Sequence, residues 1–86
     1  MPKSVSKKPR PTAVEKKLEM CERCISAWEN YGRRPDAKPN DVTDAIWWLH
    51  KWHPEVSDRV DQFAERMAAL YNADRFSYYG YNFWEI

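Results

Sequence analysis

The stretch DVTDAIWWLHKWHPEV, residues 41–56, decides the fold. Val42, Ala45, Ile46, Leu49 and Trp52 fall on one stripe of an α-helix, not on the alternation of a strand. Pro54 has no amide hydrogen and its ring clashes with the turn before it, so the helix ends near His53. The same proline suits the first position of a new helix. Asn40 or Asp41 offers a side-chain oxygen to cap the start. The expected helix covers about 41–53.

Working outward, Val56, Val60, Phe63, Met67 and Leu70 repeat the helical rhythm and predict a helix over about 55–72. Upstream, Val14, Leu18, Cys21, Ile25 and Trp28 do the same over about 13–31. Thr12 and Glu15 form a capping-box pattern at that helix's start. Gly32 supplies a residue able to take the left-handed conformation at its end. Three amphipathic helices with short connections predict an all-α fold, a small three-helix bundle. The last twelve residues, RFSYYGYNFWEI, break the rhythm and read as an extended aromatic tail packed on the bundle. Residues 1–11 hold three prolines and four basic residues, and read as a flexible basic arm ahead of a single helical domain at 12–86.

Size limits what the bundle can bury. Eighty-six residues make one domain with a modest core. Aromatic residues are 15% of the chain, with five Trp and five Tyr, so large rings must supply much of the burial. No apolar run approaches the roughly 20 residues that span a bilayer. The start lacks the apolar segment of a secretory signal, and a cytoplasmic setting with no membrane partner is expected. Residues 1–17 hold six basic residues and one acid, net +5, while residues 18–86 hold eight basic and twelve acidic residues, net −4.

Four residues raise the question of metal. Cys21 and Cys24 are three apart, as are His50 and His53, and two cysteines with two histidines are a legitimate zinc set. Helical phase argues against it. Cys21 lies mid-stripe as a small hydrophobe and Cys24 on its flank, while His53 lies within the apolar face and His50 at its edge. The expectation is no cofactor, with structural zinc as an alternative.

Catalysis finds little purchase. The only glycines are Gly32 and Gly80, so there is no glycine-rich phosphate loop. Asp58, Asp61 and Glu65 fall on the solvent face of the third helix, and Cys21 is too enclosed to serve as a thiolate. The chain reads as a non-enzyme.

Binding is the remaining class. Trp47 lies about 160° from the centre of the second helix's buried stripe at 100° per residue, and Trp48 flanks that stripe. Helix 2 therefore carries rings nearly all round. The expected protein-binding residues are Trp47, Trp48, Tyr78, Tyr79, Tyr81, Phe83 and Trp84, because exposed Trp and Tyr clusters mark interfaces. A self-complementary patch would make a homodimer. The expected role is that of a regulator, adaptor or inhibitor, a class well represented among phage and mobile-element accessory proteins. The alternative is nucleic-acid binding by Lys3, Lys7, Lys8 and Arg10 on the arm with Arg33, Arg34 and Lys38 in the first loop. Insertion of the third helix into a DNA groove is rejected, because Asp58, Asp61 and Glu65 would meet phosphates.

Overall fold

A computed structural model describes residues 12–81. Lys3, Lys7, Lys8 and Arg10 of the expected arm, and Phe83 and Trp84 of the expected surface, lie outside these residues. The chain is all-α. Helices α1 (Ala13–Glu29), α2 (Pro39–Trp52) and α3 (Ser57–Asn72) pack against one another, and a short helix α4 (Arg75–Tyr78) closes one end against α1 and α3. A single 3-10 turn, Pro54–Val56, joins α2 to α3, with Pro54 in its first position.

Helix α1 opens as expected. The Glu15 amide donates to Thr12 Oγ1 at 3.1 Å, and the Thr12 amide donates to Glu15 Oε1 at 3.0 Å. Its end differs from expectation. The helix stops at Glu29, two residues early, and Tyr31, not Gly32, takes the left-handed conformation with φ 55°. Gly32 then donates its amide to the Ala27 carbonyl at 2.7 Å, closing a Schellman turn. A left-handed tyrosine costs about 1 kcal/mol relative to glycine, and Arg75 offsets it. The Arg75 guanidinium sits 3.8 Å over the Tyr31 ring. Its Nη1 donates to the Trp28 carbonyl at 2.6 Å and the Glu29 carbonyl at 2.9 Å, two of the carbonyls the helix end leaves open.

Helix α2 begins two residues earlier than expected. Lys38, not Asn40 or Asp41, occupies the cap, and Pro39 takes the first helical position, where its missing amide costs nothing. Asp41 acts from the third position, accepting the Lys38 amide at 3.1 Å. Trp52 departs from the buried stripe and stays 59% exposed. It is the helix's last residue, and with Lys17 of α1 beside Trp48 it lies level with the first turn of α1.

The core joins Leu18, Cys21, Cys24, Ile25 and Trp28 of α1, Val42, Ala45 and Leu49 of α2, and Val60, Phe63, Met67 and Leu70 of α3. Phe76 and Tyr81 complete it. The described part of the tail is therefore not an extended layer over α2. Asp74, left-handed at φ 55°, turns the chain back after α3 so that α4 drives Phe76 inward. Gly80, at φ 78°, makes a second Schellman turn in which the Tyr81 amide donates to the Phe76 carbonyl at 3.2 Å. Phe76 and Tyr81 meet Trp28 edge-to-face at centroid distances of 5.1 and 6.0 Å. Such pairs add about 0.5–1.5 kcal/mol each beyond their burial.

On the outer side, Arg66 of α3 clasps α1. Its Nε and Nη2 donate to Glu29 at 3.0 and 2.7 Å, its Nη1 to Glu22 at 3.2 Å, and its Nη2 to Ser26 Oγ at 3.2 Å. Planar guanidinium geometry suits such a multidentate grip.

Candidate protein-binding surface

The bundle completes its core without several of its largest rings. Trp47 is 63% exposed, Trp52 59%, Tyr31 56% and Tyr78 65%. They form two patches on different elements.

The first patch is the outward face of α2. Lys51 is its centre, with Nζ 4.9 Å from the Trp47 centroid and 5.1 Å from that of Trp52. The lysine stem covers apolar ring surface while the ammonium faces the π-clouds. Thr43, Ile46, Trp47, His50 and Lys51 line a shallow groove on one side of this ridge. A second open groove, of about 460 Å³, runs between α1 and α2. Its floor is Met20, Ala45 and Trp48, with Lys16 and Lys17 on the α1 wall and Asp41 and Asp44 on the α2 wall. Trp48 is half-buried there, with Lys17 Nζ 5.0 Å from its ring.

The second patch lies where α1 ends and α4 begins. Tyr31 and Tyr78 meet edge-to-face at 4.8 Å, beside the Arg75 that stacks on Tyr31. Tyr79 is half-buried. Its hydroxyl lies 2.9 Å from the Ala27 and Gly32 carbonyls and shares its proton between them, so its polar edge is committed to α1. Burial first, and Tyr78 next, push the Tyr79 phenol above its ordinary value. Tyr81 is enclosed at 7% exposure and accepts the Trp28 indole N–H at 3.1 Å. It belongs to the core and presents no open face to a partner, contrary to expectation.

The four expected zinc ligands do not converge. Among the described residues no group of three or more His, Cys, Asp and Glu side chains is placed to hold a metal ion. Cys21 and Cys24 are free thiols at 0% exposure inside the core. Cys24 was expected on the flank, but the loop before α2 covers it, with the Ala37 backbone within hydrogen-bond reach of its sulfur. His50 is 63% exposed and sits 3.6 Å from Asp61. The His53 ring lies against Trp48 at 4.8 Å, with Nδ1 3.0 Å from Glu55. The cysteines thus face the core, His50 faces solvent, and His53 serves the corner between α2 and α3. Burial, and then the neighbouring Cys24, push the Cys21 thiol up to about 11, and burial raises Cys24 as well.

Of the basic loop residues, Arg33, Arg34 and Lys38 are exposed. Arg34 lies 4.2 Å over the Tyr81 ring and reaches the Tyr79 carbonyl at 3.5 Å, so it helps to seal the tail. Sequence reading missed Trp52 and Tyr31 as exposed rings. Trp52 is the last residue of α2, and Tyr31 lies just beyond the end of α1 in the left-handed conformation. That position was the available signal.

Comparison with protein-family models, with curated proteins and with solved structures finds no match to this chain. Among the described residues no helix is long and apolar enough to cross a membrane.

Proposed function

We propose that this chain works by binding another protein through its exposed aromatic surface, as a regulator, adaptor or inhibitor, and not by catalysis. One observation carries the reading. Trp47 and Trp52 stay mostly open on α2, bracketing Lys51, although a complete core exists beneath them. Open indole rings beside a cation are the composition of interface anchors, and truncating such anchors costs 2 kcal/mol or more of binding in typical interfaces. The Tyr31–Tyr78 patch gives a second docking point of the same chemistry. Two buried free thiols suit a reducing compartment, which supports a cytoplasmic setting.

The test is affinity capture from the source cell with the native chain, Trp47→Ser and Tyr78→Ser, at low and high salt. Point variants are required, because excising residues 76–86 would strip Phe76 and Tyr81 from the core. A protein held at high salt and lost with either substitution supports the reading. Equal capture by all three chains removes it. Salt-labile recovery of nucleic acid would favour instead the basic residues Lys3, Lys7, Lys8 and Arg10 with Arg33, Arg34 and Lys38.

A further inference from the structure

The outward strip of α2 has an order that reads the same chemically from either end once charge is paired with its opposite. Asp44, Trp47, Trp48 and Lys51 follow the spacing i, i+3, i+4, i+7, which places them on one face of the helix. Two rings stand at the centre, with one acid and one base at equal distances on either side. Asp44, Trp47 and Lys51 are exposed and Trp48 is half-buried. Trp47, at 63% exposure, is a projecting ring. The groove on the other flank, floored by Met20, Ala45 and Trp48, has Lys16 and Lys17 on one wall and Asp41 and Asp44 on the other.

We propose that a second copy of this chain docks on the strip, with the two α2 helices antiparallel about a twofold axis passing between Trp47 and Trp48. This rests on the reading of α2 as a protein-binding face and names its occupant. The twofold sets Asp44 of each copy against Lys51 of the other, so the interface holds two opposite-charge contacts. It keeps each flank of the strip on its own side, so the open Trp47 rings of the two copies meet each other along one edge of the seam. Antiparallel helices also oppose their macrodipoles favourably. A parallel pairing would bring Asp44 to Asp44 and Lys51 to Lys51, and repulsion excludes it. The Lys51 ammonium already lies against two indoles, so an incoming carboxylate meets it in partly desolvated surroundings, where the attraction is strengthened. The strip is only about 10 Å long at 1.5 Å per residue. It is therefore smaller than the roughly 800 Å² per partner of a standard interface, and the dimer is a weak one that forms with rising concentration. Pairing on α2 leaves the Tyr31–Tyr78 patch of each copy open, so the dimer offers two such patches.

The experiment is sedimentation equilibrium on the full chain over a concentration series, with Asp44→Lys, Lys51→Glu and their equimolar mixture. Far-UV circular dichroism reports the fold of each. The native chain is expected to dimerise as concentration rises. Each single variant should weaken self-association at least about tenfold, because both charge contacts become repulsive. The mixture should recover native-like dimerisation, since Lys at position 44 of one chain then meets Glu at position 51 of the other. Misfolding or a lost ring cannot mimic that recovery. If a reversal variant loses its helical signal, Asp44→Asn and Lys51→Gln take its place, each expected to weaken the dimer and, if it does not, overturning the pairing. A native chain that stays monomeric, single variants that pair as well as the native chain, or a mixture that stays monomeric overturns it too. If the chain is monomeric but Trp47→Ser still abolishes capture of another protein, self-pairing fails and the α2 surface stands. If Trp47→Ser changes neither measurement, both fail.

Discussion

Tyr81→Phe deletes one oxygen and keeps the ring, so it isolates the hydrogen bond that ties the tail to α1. The Trp28 indole N–H, which now donates to Tyr81 Oη at 3.1 Å, would lose its acceptor. Trp28 is 0% exposed and Tyr81 7% exposed, so little water can replace the hydroxyl. A buried donor left without an acceptor costs about 1–3 kcal/mol. No cavity opens, because the edge-to-face contact of the two rings survives. The slight exposure at Tyr81 places the cost in the lower half, about 1–2 kcal/mol. In a domain of this length each kcal/mol lowers Tm by about 4–8 °C. The assay is urea unfolding followed by far-UV circular dichroism, for the native chain, Tyr81→Phe, Trp28→Phe and the double variant. The double variant should be less destabilised than the two singles added together, by about 1 kcal/mol, because both singles break the same bond. A Tyr81→Phe protein within about 0.3 kcal/mol of native, or strictly additive singles, would refute the placement of Tyr81 in the core.

Other expected outcomes follow from the same geometry. Trp47→Ser, on an exposed ring, should change unfolding stability by no more than about 0.5 kcal/mol, so any loss of capture reports binding and not folding. Glu22 is held below the ordinary carboxylate value, first by the Ser26 hydroxyl and then by Arg66, so its contribution is present above the unfolded glutamate range and is lost as pH falls through the folded value. Arg66→Met should flatten that acid-side loss when urea midpoints are compared across pH, and an unchanged slope would count against the clasp. The thiols of Cys21 and Cys24 should resist a neutral-pH thiol reagent in the native state and react fully in denaturant, because burial keeps both protonated. Fast labelling of the native chain would contradict their enclosure. Metal chelator should leave the far-UV signal unchanged, and unfolding on chelation would restore the zinc reading of Cys21, Cys24, His50 and His53.

Much of the bundle was legible in residue order. A period near 3.6 in Val14, Leu18, Cys21, Ile25 and Trp28, and again in Val60, Phe63, Met67 and Leu70, names a helix and its buried face together, because backbone geometry alone sets that period. The Thr12–Glu15 box and the stop at Pro54 are equally local, and the structure keeps both. The errors fall where a neighbour decides. Gly32 satisfied every local requirement for the left-handed residue, yet Tyr31 holds that place, because Arg75 arrives from 44 positions away to stack on its ring and fill the helix end.

Tyrosines 78, 79 and 81 are alike in composition and nearly adjacent, yet one is exposed, one half-buried and one enclosed. Trp52 lies on the buried stripe of α2 by phase and is open in space, while Trp28 lies on the buried stripe of α1 and is sealed. The periodic placement of apolar residues determined that three helices form and which face of each turns inward. How α1 and α2 line up, and how Asp74 and Gly80 fold the tail back under Trp28, decided which rings remain for a partner. A ring's exposure depends on what stands within a few ångströms of it, and that neighbour is set by the meeting of distant segments, which residue order does not display.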